Sequence, residues 1–120
     1  MRLGLYPCRL TPGSRAGEAY GVPEVQERHR HRFEVNNDYL PILTQHGLRV
    51  TGLYPHRELV EIIELADHPW FVGTQFHAEY RSRPTRPHPI YREFIAASLR
   101  HAQHRAALAP KEPSSPAANR

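Results

Sequence analysis

The sequence predicts an α/β layered fold, with a sheet in its first two thirds and one long helix closing the chain. Three observations carry this expectation. Short extended segments cluster between residues 1 and 76, separated by turn residues. The segment from Pro89 to about Ala107 repeats apolar residues at helical spacing. At 120 residues the chain has one-domain length at most.

The elements follow in chain order. Residues 1–10 read as a strand, with Leu3, Leu5 and Tyr6 as apolar contacts and Pro7 marking an edge or an end. Thr11-Pro12-Gly13-Ser14 is a turn, and Ser14 can cap a short helix through Tyr20 that Gly21 stops. Residues 24–35 form a second strand, too polar to be buried on both faces. Asn36-Asn37-Asp38 opens a helix to about His46, with Pro41 in the first turn and Gly47 as its end. Leu48–Leu53 and Leu59–Leu65 read as an antiparallel hairpin around Tyr54-Pro55-His56-Arg57. Its second strand has glutamates on alternate sides. Residues 71–76 give a third short strand of this region, and 81–89 a proline-rich loop. In the closing helix, Ile90, Phe94, Ile95, Leu99 and Ala102 are expected to keep one face toward the body. Residues 1–107 are expected to form the folded part and 108–120 a disordered tail.

Composition narrows the function classes. No apolar run approaches the roughly 18 residues a membrane helix needs, so no membrane partner is expected. Residues 1–5 turn polar too soon for a secretory signal. A single cysteine, Cys8, leaves no internal disulfide and no multi-cysteine zinc site, which makes a cytoplasmic location the default. The formal charge is +4, and 15 of the 16 basic residues are arginine. Nine histidines in such a chain raise the question of metal. There is no Gly-rich phosphate loop.

Two segments could hold chemistry. In Gln75-Phe76-His77-Ala78-Glu79-Tyr80, a histidine directly follows an apolar strand, with a carboxylate two positions on. A carboxylate beside an imidazole fixes its tautomer and stabilises the imidazolium, as a base serving a Ser or Cys nucleophile requires. A hydrogen-bonded structural histidine and a solvated glutamate read the same way. In residues 27–36, alternation puts Arg28, Arg30 and Arg32 on one side and His29 and His31 on the other. Three guanidiniums on one face can hold a carboxylate or phosphate by forked hydrogen bonds. A solvated edge strand guarded by charge is the structural alternative. His29 and His31 alone lack the third and fourth ligands that a metal site needs at short spacing, so no metal is assigned. Nucleic acid is not expected as a partner, because no aromatic platform interleaves with the charge. Cys8 lacks the flanking glycines of a nucleophile elbow and reads as a small buried or semi-buried structural cysteine.

Four strings resemble, in order, the carboxy-terminal part of the CTP synthase family: Met1-Arg2-Leu3-Gly4 with Tyr6-Pro7-Cys8; Glu27 to Asn37; Leu59 to Glu64; and His68-Pro69-Trp70-Phe71-Val72 with Gln75-Phe76-His77. The resemblance covers about residues 1–99. It implies a partial class I glutamine amidotransferase layered fold with a mixed sheet, lacking its amino-terminal half. It implies that His77 is the base and Glu79 the orienting carboxylate of a Cys-His-Glu triad, and that Arg32 binds glutamine. The complete enzyme would aminate UTP to CTP in an ATP- and Mg²⁺-dependent reaction, as a homotetramer, using ammonia from glutamine. This chain would hold no cofactor itself. Two departures stand out. Ala78 replaces the proline usual between the triad His and Glu, and the Gly-x-Cys-x-Gly elbow is missing. Met1 coincides with an internal methionine of the family pattern. The expectation is therefore a fragment or a gene model begun at an internal methionine, inactive alone and marginally stable. Its partners would be the missing nucleophile-bearing and synthetase parts. A standalone remnant acting as a binding or regulatory module is the alternative.

Overall fold

A computed structural model describes residues 1–110. Its five strands are β1 (Arg2–Leu10), β2 (Glu24–His31), β3 (Leu48–Tyr54), β4 (Leu59–Leu65) and β5 (Val72–Thr74). The helices are α1 (Arg15–Tyr20), α2 (Leu40–Gln45) and α3 (Pro89–Leu108). The strands form one sheet in the order β2-β1-β3-β4-β5. All four pairings are antiparallel, so the mixed sheet expected above is not what these residues build. The physical reason lies in the connections. The β3–β4 turn is tight, and the longer links reverse the chain rather than carrying it back to the same end of the sheet, as a parallel pair demands.

Local chemistry explains the small elements. Ser14 Oγ accepts from Gly17 N at 2.9 Å and donates to the Thr11 carbonyl at 2.6 Å, opening α1. Gly21, at φ 71°, closes it in the left-handed region. The helix expected over 36–46 divides into a 3₁₀ turn at Asn37–Tyr39 and α2. Asn36 caps the turn through Asp38 N at 3.0 Å. β2 stops at His31 rather than Val35, because its partner β1 begins at Arg2, directly opposite His31. Without a neighbouring strand, residues 32–35 have no ladder to join.

The core gathers Cys8, Leu10, Ala16, Ala19, Ile62, Phe76, Ala78 and Ile90, with Tyr20, Val25, Trp70 and Val72 against it. Gly52 sits at a register shift between β3 and β4. A Cβ there would lie 2.6 Å from Ile62 Cγ1 and 2.8 Å from Cys8 Sγ, so only glycine fits. α3 departs from expectation. Ile90 and Ala97 are buried, whereas Phe94, Ile95 and Leu99 of the expected inward face are exposed. Residues 111–120 of the expected tail lie outside the described residues.

Candidate functional site

The site begins where β5 ends. Gln75 N still donates to the Glu61 carbonyl at 2.8 Å, and two residues later His77 N donates to the Arg28 carbonyl at 3.0 Å. The chain thus crosses from the β4 edge toward β2, and Arg28 fixes the backbone of His77. His77 is extended and starts a single 3₁₀ turn, Ala78–Arg81. Ala78 is buried in the core beneath it, which anchors the turn.

His77 Nδ1 donates to Glu79 Oε1 at 2.7 Å. The pair meets through the 3₁₀ turn and not through strand alternation. A carboxylate at Nδ1 holds the proton there, leaving Nε2 of the neutral ring as a lone-pair base. Both side chains are open to solvent, at 37% and 54% exposure, so a substrate can reach them. The hydrogen bond from His77 holds the Glu79 carboxyl below its usual range, and the Tyr91 hydroxyl adds to this. Burial, followed by the Glu79 charge, raises the Tyr91 hydroxyl in turn. Tyr80 stacks on the His77 ring at 4.8 Å and 14°.

Arg32 is exposed, just past the end of β2, and makes no hydrogen bond or ion pair among the described residues. Its neighbour Phe33 offers a carbonyl to Gln75 Nε2 at 3.4 Å. The segments carrying Arg32 and His77 therefore meet here, with no hydrogen bond between those two side chains among the described residues. Arg28 and Arg30 point outward with Arg32, as alternation requires. His29 is buried edge-on to Tyr6 and Phe76. It meets His31 Nε2 through Nδ1 at 2.8 Å, so the two rings partner each other.

Four buried charged residues around this frame were not singled out by the sequence. Arg2 pairs with Glu61 and, at 3.2 Å, with Glu34. Its guanidinium lies 4.6 Å and 4.7 Å from the Tyr6 and Tyr54 rings. His29 Nε2 stands 2.7 Å from Glu61 Oε2, in ion-pair range but off the line of a hydrogen bond. Glu64 accepts from Arg15 N and Ala16 N at 3.0 and 3.1 Å, placing a carboxylate on the first turn of α1. Glu27 Oε1 accepts from Tyr20 at 2.8 Å and from His88 Nε2 at 2.7 Å, while His88 Nδ1 caps Ile90 N at 3.2 Å. One signal was available: Glu27 alternates with the arginines onto the face that His29 shares.

Cys8 is wholly buried against Gly52. Burial, aided by the Glu61 and Glu27 charges, pushes its thiol up to about 12. It is a core residue and cannot present a thiolate to His77.

The profile of the family described as glutamine amidotransferase class-I matches residues 1–97. A CTP synthase of Carboxydothermus hydrogenoformans is 63% identical over 100 residues, covering 83% of this chain and 19% of the relative. One from Roseiflexus castenholzii is 66% identical over 98 residues, covering 82% of this chain and 18% of the relative. The solved glutaminase domain of Trypanosoma brucei CTPS, with bound acivicin, superposes with a TM-score of 0.79 at 35% identity. That match covers 83% of this chain and 40% of the solved one. The chain thus spans about a fifth of the length of the curated relatives it matches. No helix among the described residues is long and apolar enough to cross a membrane.

Proposed function

Because the chain belongs to the class I glutamine amidotransferase family, we propose that it supplies the base, the orienting carboxylate and part of the substrate pocket to a glutamine-hydrolysing site of a CTP synthase. The carrying observation is the 2.7 Å contact between His77 Nδ1 and Glu79 Oε1, with both groups open to substrate. His77 Nε2 takes the proton of a cysteine thiol from the rest of the domain as the thiolate attacks the side-chain amide of glutamine. The imidazolium then gives that proton to the departing nitrogen, which leaves as ammonia. Glu79 stabilises the charged ring between these steps. Arg32, without a hydrogen-bond or ion-pair partner among the described residues, forks onto the carboxylate of glutamine. In the complete enzyme the ammonia would aminate UTP activated with ATP and Mg²⁺. This sequence has no Gly-rich phosphate loop, so no residue here is assigned to the nucleotide or the metal.

Ammonia release from glutamine tests the reading. The isolated chain is expected to give none, because Cys8 is buried and its thiol stays protonated. Assembled with the nucleophile-bearing part of a CTP synthase glutaminase domain, it is expected to give turnover that His77→Ala abolishes. Robust turnover by the isolated chain, lost in His77→Ala, would overturn the need for a second part.

A further inference from the structure

α3 contains 20 residues, about 30 Å of helix, but it meets the body on one side only. Ile90 and Ala97 are buried there, and Arg92 Nη2 donates to the Ala19 carbonyl at 2.9 Å. On the adjoining side, Tyr91, Phe94, Ile95 and Leu99 form a stripe at i, i+3, i+4 and i+8. They are 39%, 50%, 54% and 58% exposed. Arg100, His101, His104 and Arg105 continue the Ala97 side further along the helix and are exposed there. The helix therefore has two apolar sides, and the described residues cover only one. Four contiguous large apolar side chains on one helix are the usual signature of a contact surface.

Two observations identify the occupant. The matched region superposes on a glutaminase domain at a TM-score of 0.79 yet spans 40% of it, so most of such a domain lies outside these residues. The stripe also begins at Tyr91, whose hydroxyl neighbours the Glu79 carboxylate and helps hold it below its usual range. Whatever covers the stripe therefore borders His77 and Glu79, where the site still needs its nucleophile. We propose that the Tyr91–Leu99 stripe docks an apolar face of the amino-terminal, nucleophile-bearing part of a class I glutamine amidotransferase domain. The inference rests on the reading of His77 and Glu79 above and adds the surface by which the two parts assemble.

The test co-expresses the full 120-residue chain with the part of the C. hydrogenoformans CTP synthase that precedes its matched region. Affinity is measured between the purified partners, and ammonia release is measured on the complex. Ile95→Asp combined with Leu99→Asp is expected to weaken binding by about tenfold or more. Both positions are more than half exposed, so the fold is not at risk, and circular dichroism checks it. Arg100→Asp, exposed and off the stripe, is expected to leave affinity unchanged. Absence of a complex with the parent chain, or affinity for the double variant within about twofold of the parent, would overturn the docking surface. So would a dimer of the chain alone that the double variant turns into a monomer, because the occupant would then be a second copy. His77→Ala is expected to keep the complex and lose ammonia release. A stripe-dependent complex whose turnover survives His77→Ala would uphold the docking surface and refute the catalytic reading.

Discussion

Cys8 offers the sharpest test of the structure, because it is the chain's one thiol and its environment is fully specified. Burial raises it from the ordinary 9.0 to about 12, with Glu61 and Glu27 adding to the effect and Arg2 opposing it. A group raised on folding contributes stability that is complete below its unfolded value and is lost as pH climbs toward its folded value. For Cys8 the window therefore runs from about 9 to about 12. At about pH 10.5 the unfolded chain gains some 1.5 pH units of thiolate formation that the folded chain is denied, or about 2 kcal/mol. The perturbation is Cys8→Ala, and the assay is urea unfolding of both chains at about pH 8 and about pH 10.5. The alanine variant loses packing equally at both values, and the raised Tyr20 hydroxyl is common to both chains. The double difference isolates the thiol. Its deficit near pH 8 is expected to shrink by about 2 kcal/mol near pH 10.5. A deficit constant to within about 0.5 kcal/mol would show that Cys8 is not held in the core and would reopen it as a nucleophile.

Two further substitutions probe the frame around the site. Gly52→Ala places a methyl 2.6 Å from Ile62 Cγ1 and 2.8 Å from Cys8 Sγ; a loss of about 1–3 kcal/mol is expected, and an unchanged urea midpoint would contradict the packing. Arg2→Met strands the buried Glu61 carboxylate and should cost about 3–5 kcal/mol, whereas Arg2→Met with Glu61→Leu should recover most of it. A double variant no more stable than the single one would refute the pairing.

What the sequence made legible was local. The Ser14 and Gly21 caps, the hairpin of β3 and β4, and the His77–Glu79 contact each depend on residues a few positions apart. What it hid was distant. The Arg2–Glu61 pair spans 59 positions and the Glu27–His88 contact 61, and no periodicity signals either. Glu61 and Glu64 lie in an apolar run where a glutamate reads as solvent-facing, yet each is buried on a partner from another element. The α3 stripe failed for a different reason. Helical spacing reveals which residues share a face, but it does not say which neighbour covers that face.

The three buried glutamates explain why so exposed a site can still be held in place. Glu64 fixes the first turn of α1 to β4, Glu61 ties β1 and β2 to β4, and Glu27 joins α1, β2 and the start of α3. Each meets specific donors on at least one oxygen, while Oε2 of Glu27 and of Glu61 stays without a hydrogen-bond partner among the described residues. Unlike apolar contacts, such pairs tolerate little sliding, so they set the positions of β2 and α3 relative to β4. His77 hangs from the Arg28 carbonyl on β2, and the Tyr91 hydroxyl on α3 neighbours the Glu79 carboxylate and helps lower it. The base is therefore held from β2, and its carboxylate stands beside α3, two elements that Glu27 joins. Disturbing Glu27 should misalign the pair without touching either member, whereas a change at an outward arginine such as Arg30 should not.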